Sequence, residues 1–317
     1  MPNAEIRWSG SDRDREALRR RHDWSALTGL EGLWPELARQ HGDQLALEAP
    51  HARPPEQLSY RQLHAAIERT AAAFAALGLR SGDVVALFAE NGPRWLQADQ
   101  GILRAGGADA VRGGAAPVEE LRYILTDSGA VALVVESAEL FERLELDAAA
   151  LAALRFVVVL EGEAPQQPEL PGLSWEQLQE RGAQAPAAPA PTGGPGRVAT
   201  LLYTSGTTGQ PKGVPLSHAN LLHQIRTLGV AVSPVPGDRV LSVLPIWHAY
   251  ERTAEYFLLS CGCRQSYTSL RHLKADLQTV KPQYMISVPR LWEALLSGFE
   301  DALAAMPASR QRLLGKA

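Results

Sequence analysis

The chain has 317 residues and a formal net charge of -4. Apolar residues make up 45% of it and charged residues 21%, the balance of a folded globular protein rather than a disordered one. Because nucleic-acid-binding domains usually carry a clustered excess of positive charge, this composition gives no support for DNA or RNA as a partner, and we expect no nucleic acid to bind.

The first 21 residues are rich in arginine, aspartate and glutamate and lack the apolar core of a secretory signal. No stretch approaches the roughly 18 uncharged apolar residues needed to span a bilayer. Cys261 and Cys263 lie one residue apart, a spacing that suits neither a zinc site nor a relaxed disulfide. We therefore expect reduced thiols, no metal-ligating residues and a cytoplasmic protein, and we leave peripheral contact with a membrane open.

Helical and strand-like segments alternate through the first 160 residues. Apolar residues at helical spacing predict a helix that Gly78 ends, and an uninterrupted apolar run predicts the buried strand that follows. Strands separated by helices favour parallel pairing, so the fold class is predicted as α/β. The predicted helices are 61–77, one that opens at Pro93, and 117–126, and the predicted strands are 84–88, 106–111, 130–135 and 155–160.

From residue 161 to residue 197 the composition shifts to proline, alanine, glycine and glutamine. We expect this stretch not to continue a sheet, and to hold only a short helix over 173–181. Strands and helices then alternate again. The chain is therefore divided into an N-terminal α/β subdomain (1–161), a linker or surface excursion (162–197) and a second α/β subdomain (198–317) that we expect to be incomplete. The second subdomain is predicted to contain strands 198–203, 239–244, 263–267 and 284–287, and helices 217–228, 251–260 and 270–280 and one from Pro289.

A glycine-rich loop directly follows the strand predicted at 198–203. Its sequence is Thr204-Ser-Gly-Thr-Thr-Gly-Gln-Pro-Lys-Gly213. Glycines let the backbone turn back so that successive N–H groups converge on an anion. Hydroxyl groups add donors and the lysine adds positive charge. The loop is therefore predicted to bind phosphate groups, rather than to be a surface loop without a ligand.

The loop does not match the Walker P-loop, G-x-x-x-x-G-K-[ST]. Gly206 and Gly209 are too close together, and Pro211 precedes Lys212 where the Walker motif has glycine. Proline at this point also argues against a helix that starts at the lysine. We expect the helix to start at Ser217, which is a good N-cap residue. The pattern therefore argues against an NTPase of the Walker type.

The stretch that starts at Tyr203 and ends at Val214 resembles the signature loop of the adenylate-forming superfamily: acyl-CoA synthetases, luciferases and the adenylation domains of peptide synthetases. The resemblance implies parallel-rich sheets flanked by helices, the N-terminal subdomains of such an enzyme with the C-terminal portion absent. It implies ATP and Mg²⁺ as cofactors, and attack of a carboxylate on the α-phosphorus to give acyl-AMP and pyrophosphate. The residues that it assigns to the phosphates are Thr204, Ser205, Gly206, Thr207, Thr208, Gly209 and Lys212, of which Thr207 and Lys212 are also assigned a catalytic role.

Leu244-Pro-Ile-Trp-His248 resembles the next motif of the superfamily, in which a turn presents a histidine or an aromatic residue to the site. The resemblance implies that His248 is a third catalytic residue, which could hydrogen-bond the α-phosphate or the carboxylate. The alternative is a structural histidine in the core. We expect Trp247 to pack in the core, and Glu251 and Arg252 to pair with each other or cap the next helix.

Four stretches narrow the resemblance. The sequences around Leu244-Pro-Ile-Trp-His248 and at 286–293 are similar to long-chain fatty-acid ligases, and those at 94–100 and 111–114 to acyl–acyl carrier protein synthetases. This implies a fatty acid as substrate and coenzyme A or acyl carrier protein as acceptor, and the choice of acceptor stays open. An adenylating enzyme for another carboxylate is one alternative. A non-catalytic module that binds nucleotide or a partner is another.

No stretch corresponds to the adenine-binding strand of the superfamily, to its Y-G-x-T-E-like motif, to its ribose-binding aspartate or to its mobile C-terminal domain. Adenylation needs groups aimed at the charge that develops in the transition state, and several of those groups are missing here. We therefore expect a truncated ligase that contains only the N-terminal part of the catalytic site and is inactive by itself.

Overall fold

The computed structural model describes residues 23–168, 170–204 and 210–304. The strands in these ranges are β1 Leu45–Ala49, β2 Glu56–Ser59, β3 Val84–Phe88, β4 Ala108–Arg112, β5 Ala132–Ser137, β6 Val157–Glu161, β7 Gly172–Ser174, β8 Val198–Thr204, β9 Lys212–Ser217, β10 Arg239–Ser242, β11 Arg264–Tyr267 and β12 Tyr284–Met285. The helices are α1 Leu33–His41, α2 Tyr60–Ala76, α3 Pro93–Arg104, α4 Val118–Asp127, α5 Ala138–Arg143, α6 Ala148–Ala153, α7 Trp175–Gln184, α8 His218–Thr227, α9 Ala249–Ser260, α10 Leu273–Val280 and α11 Pro289–Ala304.

The strands form two sheets. The seven-stranded sheet has the order β7-β6-β5-β3-β4-β8-β9, and the five-stranded sheet has the order β12-β10-β11-β1-β2. All pairs are parallel except β8 with β9 and β1 with β2. The predicted α/β class is confirmed. Strand β9 was not predicted, because Gly213 and Pro215 lie within it; proline is tolerated there because β9 is an edge strand.

Local sequence signals account for the ends of the helices. Ser59 caps α2: its Oγ accepts from the backbone N–H of Gln62, and the Gln62 side chain accepts from the backbone N–H of Ser59. Gly78, with φ of 92°, follows the end of the same helix. Pro93 occupies the first turn of α3, where its missing N–H has no helical partner to lose. The predicted helix starts at 61, 93 and 217 are each within one residue of those observed.

The central strands of the seven-stranded sheet are buried on both faces. Along β3, Val85 and Leu87 contact one apolar cluster while Ala86 and Phe88 contact another on the opposite face. A strand covered on both faces reads as an uninterrupted apolar run, which is the pattern of 84–88. The first cluster also contains Leu47 of β1, so the same core extends to the five-stranded sheet.

The stretch at 162–197 is not a simple linker. Within it, β7 pairs in parallel with β6, with Leu173 opposite Val158. Our prediction that this stretch cannot continue a sheet was therefore wrong. Only the three residues Gly172–Ser174 enter the sheet, at its edge, so the average composition of the stretch concealed them. Arg104 of α3 also donates to the carbonyls of Ala188 and Pro189, which ties the proline-rich part to the body of the protein.

The strand pairs run across the predicted subdomain boundaries. Strand β8, in the part 198–317, pairs with β4, and β11 of the same part pairs with β1. Both sheets thus combine strands from before and after the stretch at 162–197. The division into 1–161, 162–197 and 198–317 stays a prediction, although it does not coincide with the division into sheets.

The packing of α7 against α2 gives a testable prediction. A Cβ at Gly182 of α7 would overlap the backbone carbonyl of Arg69 in α2, and backbone cannot move aside cheaply. Gly182→Ala is therefore expected to lower the free energy of unfolding by about 1–3 kcal/mol in urea titrations, the usual cost of overpacking. The control is Gly298→Ala in α11, where a Cβ meets nothing within 4 Å. The control is expected to be neutral or to stabilise the protein by up to about 1 kcal/mol, since alanine favours helix. Equal stability of both variants would contradict the packing.

Candidate functional site

The glycine-rich loop connects two hydrogen-bonded strands. Strand β8 ends at Thr204 and β9 begins at Lys212, and these two residues are opposite each other in the antiparallel pair. Such partners have Cα atoms about 4.5–5.5 Å apart. The structure therefore brings the two ends of the predicted phosphate loop together. The remaining predicted loop residues lie outside the described part of the chain, and their roles stay predictions: Ser205, Gly206, Thr207, Thr208 and Gly209.

Tyr203 anchors the strand just before the loop. Its ring is buried, and its hydroxyl donates to Oδ2 of Asp127 at 2.8 Å. Burial and the hydrogen bond to Asp127 hold the pKa of Tyr203 above its ordinary value. A Cβ at Gly213 would lie 3.0 Å from the ring of Tyr203, so glycine lets β9 approach the ring closely. The loop stem, by which we mean the end of β8 and the start of β9 on either side of the loop, is thus fixed on both strands.

Both ends of the loop are open to solvent and chemically suited to phosphate. Thr204 and Lys212 are exposed, and Lys212 forms no ion pair with the described residues. A hydroxyl donor and a free ammonium group fit phosphate oxygens, and both lie at the carboxyl end of β8, where ligands bind in open α/β sheets. Among the residues the structure describes, no group of three His, Cys, Asp or Glu side chains could hold a metal ion.

His248 lies at the N-cap of α9 and is exposed. Burial of part of the ring and the positive charge of Arg112 lower the pKa of His248, so the imidazole is mainly neutral at neutral pH. Arg112 ends β4, one residue after Val111, which pairs with Leu202 of β8. His248 therefore lies near the sheet edge at which β8 ends. No hydrogen bond joins it to Thr204 or Lys212 in the described part of the chain.

The turn before His248 is held by packing and by one amide. The Asn91 side chain donates to Oγ of Ser242 at 2.7 Å and to the carbonyl of Leu244 at 3.3 Å. The ring of Trp247 lies over Gly113, where a Cβ would overlap it, and packs against the large apolar cluster. Trp247 therefore packs in the core, as we expected.

Glu251 and Arg252 do not pair with each other or cap a helix, and that prediction was wrong. Arg252 is fully buried and forms ion pairs with Asp99 and Asp109. Glu251 instead accepts from Oγ of Ser242 at 2.6 Å. The partners of Arg252 are 153 and 143 residues away in the sequence, so no local pattern could identify them. The available signal was an aspartate within each of two segments that are largely buried, α3 and β4.

Burial raises the pKa of two carboxyl groups beneath this site. Burial raises the pKa of Glu251 to about 7. Burial, with the nearby Glu251, raises the pKa of Glu255 to about 8. Asp109 differs from these two groups, because both of its carboxylate oxygens accept hydrogen bonds from Arg252 in a buried ion pair.

A cavity of about 470 Å³ lies between α8 and the first turns of α9. Its walls include Leu216 and Leu221 on one side and Ala249 and Tyr250 on the other. Leu216 is in β9, four residues after Lys212, and Ala249 follows His248 directly. Cavities of this size hold small organic ligands. The arrangement places this space on the same side of the fold as the hairpin that carries the glycine-rich loop.

Comparisons with known proteins agree with this geometry. A family model described as AMP-binding enzyme matches residues 34–316. The long-chain-fatty-acid–[acyl-carrier-protein] ligase AEE15, chloroplastic, of Arabidopsis thaliana is 39% identical over 312 residues, which cover 94% of this chain and 42% of the relative. The probable acyl-activating enzyme 16, chloroplastic, of the same plant is 40% identical over 313 residues, with 94% and 43% covered. The chain thus spans less than half the length of these relatives.

Among solved structures, the inhibitor-bound N-terminal domain of FACL13 from Mycobacterium tuberculosis superimposes with a TM-score of 0.72. The identity is 21%, and the match covers 84% of this chain and 64% of that one. At this identity the similarity shows the fold alone. It confirms the expected parallel-rich sheets flanked by helices, as in the N-terminal domain of that protein.

The buried carboxyl groups predict how stability depends on pH. Glu251 and Glu255 have folded pKa values above their unfolded ones, so the unfolded state releases protons that the folded state keeps. The free energy of unfolding should therefore fall as pH rises from about 5 towards 8, by about 1.4 kcal/mol per pH unit for each such group. In urea titrations from pH 5 to 8, Glu255→Gln is expected to make the fall of the unfolding free energy with pH less steep, by the contribution of one carboxyl group. The control is Glu293→Gln at an exposed position of α11, and it should keep the whole slope. A slope unchanged in Glu255→Gln would contradict the assignment.

Proposed function

The chain belongs to the AMP-binding enzyme family, and from this premise we propose that it holds the ATP phosphates in an enzyme that activates a carboxylic acid as an acyl-adenylate. The observation that carries the proposal is the hairpin of β8 and β9, which sets Thr204 beside Lys212 at the two ends of the glycine-rich loop. Converging N–H groups, hydroxyls and one ammonium group suit the β- and γ-phosphates.

In the proposed reaction, a carboxylate oxygen of the acid attacks the α-phosphorus, the bond to the β-phosphate oxygen breaks, and pyrophosphate leaves. Lys212 and Thr207 would act as catalytic residues by stabilising the negative charge that grows on the leaving pyrophosphate. The other loop residues would hold the same group through hydroxyl and backbone donors. His248, mainly neutral, would donate a hydrogen bond to an oxygen of the α-phosphate or the carboxylate. Mg²⁺, bound with the phosphates, would supply further positive charge.

We propose a long-chain fatty acid as the substrate. A relative named as a long-chain-fatty-acid–[acyl-carrier-protein] ligase is 39% identical over 94% of this chain, which supports this choice. The cavity beside Ala249 and Tyr250 offers space for the part of the acid next to its carboxylate. Coenzyme A or acyl carrier protein would accept the acyl group as a thioester. The alternatives are an enzyme for another carboxylate, and a chain that binds nucleotide or a partner without catalysis.

Peripheral contact with a membrane and a cytoplasmic location are further parts of the proposal. Helix α11 and the residue before it present an outward apolar stripe, between 38% and 58% exposed, that consists of Val288, Trp292, Leu296 and Phe299. An apolar stripe on a surface helix suits the boundary layer of a lipid surface, where fatty acids are found. None of the described helices is long and apolar enough to span a bilayer.

The first prediction tests the phosphate site directly. Lys212→Ala should weaken binding of magnesium tripolyphosphate, which presents the three linked phosphates of ATP without adenosine. The expected loss in isothermal titration calorimetry is about tenfold or more, because a hydrogen bond to a charged group contributes about 1.5–3 kcal/mol. The matched control is Lys274→Ala, which removes the same charge from an exposed position on α10. Equal affinity in Lys212→Ala and the unmodified chain would disprove the phosphate site.

Another prediction concerns the substrate and the length of chain that adenylation requires. We expect the 317-residue chain by itself to give no fatty-acid-dependent exchange of pyrophosphate into ATP, because its sequence lacks counterparts of the adenine and ribose motifs. The full-length protein should form acyl-AMP from palmitate and not from benzoate or amino acids. Product analysis with coenzyme A and with acyl carrier protein then identifies the acceptor. A preference for benzoate would exclude the lipid assignment, and exchange by the chain alone would exclude its inactivity.

A further inference from the structure

A buried guanidinium group connects four elements of the fold beneath the candidate site. Arg252, in the first turns of α9, is fully shielded from solvent. Its partners are Asp99 on α3, Asp109 on β4, Thr200 on β8 and Tyr256 on α9 itself. Strand β8 is the one that leads into the phosphate loop, and α9 is the helix that begins at His248.

All five N–H donors of Arg252 have acceptors. Nε donates to the hydroxyl of Tyr256 at 2.8 Å. Nη1 donates to Oγ1 of Thr200 at 2.7 Å and to Oδ1 of Asp109 at 3.3 Å. Nη2 donates to Oδ2 of Asp109 at 2.7 Å and to Oδ1 of Asp99. The guanidinium group is planar and its donors point in fixed directions. It can therefore donate to all of these acceptors only if the four elements keep one relative arrangement.

The partners of Arg252 are themselves fixed. The Tyr256 hydroxyl donates to Oδ2 of Asp99, and the Gln100 side chain donates to the same oxygen at 2.8 Å. The guanidinium also lies over the ring of Trp95, 5.2 Å from its centre. Burial disfavours the charge on Arg252, but Asp109 and Asp99 outweigh that effect and keep its pKa above the ordinary value. The guanidinium therefore stays charged and its contacts stay directional.

Two short connections link the hydrogen bonds of Arg252 to the candidate site. Thr200 lies opposite Asp109 in the β4–β8 pair and four residues before Thr204, at the start of the loop. The backbone N–H of Arg252 donates to the carbonyl of His248 at 3.1 Å, which is one turn of α9. A movement of the guanidinium relative to Thr200 would therefore shift the loop stem relative to the first turn of α9.

We propose that Arg252 is a positioning residue, which sets the loop stem of β8 and the His248 end of α9 at the separation that phosphate binding requires. The inference rests on the proposed function, because it assumes that the loop holds phosphates. Apolar side chains could fill the same interior without the cost of burying a charge, so stability alone does not explain a guanidinium here. What the guanidinium adds is a specific geometry between two strands and two helices.

The test breaks the contact between Arg252 and β8 alone. Thr200→Val keeps the shape of the side chain and removes only the hydroxyl that accepts from Nη1. We expect the affinity for magnesium tripolyphosphate to fall by about five- to tenfold, the lower range for coupling between separate sites. Thr200→Ser restores the hydroxyl and should restore the affinity to within about twofold of the unmodified chain. Arg252→Lys keeps the positive charge but loses the planar set of five donors, and it should lower the affinity by at least as much.

The matched control is Thr70→Val on α2. Thr70 is also fully buried, and its hydroxyl accepts from the Gln179 side chain at 2.7 Å, so the substitution removes a comparable hydrogen bond away from the loop. Thermal unfolding of both valine variants measures the loss of stability, and the control should keep its affinity. Equal losses of affinity in both valine variants, or none in Thr200→Val while Lys212→Ala binds weakly, would overturn the positioning role. If Lys212→Ala binds normally, the proposed function fails and this inference fails with it.

Discussion

The arrangement of the fold around the site depends on one buried charge. Arg252 lies where water cannot reach it, and a buried ion is tolerated only when geometry satisfies all of its hydrogen-bonding groups. The acceptors that do so come from α3, β4 and β8 as well as from its own helix. These elements cannot shift independently of one another. The loop stem and the N-terminus of α9 are therefore both held in position by the same buried side chain, Arg252.

The topology of the sheets explains why the candidate residues lie at one edge. Parallel strands β4 and β8 end on the same side, so Arg112, His248 and the loop stem meet there. The antiparallel return of β9 brings Lys212 back beside Thr204, which a parallel strand could not do within so few residues. A hairpin at the edge of a parallel sheet thus holds both ends of the glycine-rich loop in place.

Local sequence patterns predicted the elements better than their assembly. The helical apolar spacing that ends at Gly78, the capping residue Ser217 and the apolar run 84–88 were sufficient for α2, α8 and β3, because each depends on neighbours in the sequence. The resemblance to the adenylate-forming superfamily, carried by the residues from Tyr203, is confirmed by the family match. The pairing of β1 with β11 and the two aspartate partners of Arg252 depend on contacts across more than a hundred residues, which periodicity does not record. Strand β7 was missed because three residues give no pattern.

In our proposal, Arg252 couples phosphate binding at the loop to the first turn of α9. Hydrogen exchange of backbone amides, measured by mass spectrometry with and without magnesium tripolyphosphate, tests this coupling. We expect slower exchange in peptides that cover 203–217 and also in peptides that cover 248–256, with no change in those that cover α10. Slower exchange at the loop alone would contradict the coupling, and unchanged exchange at the loop would contradict the phosphate site itself.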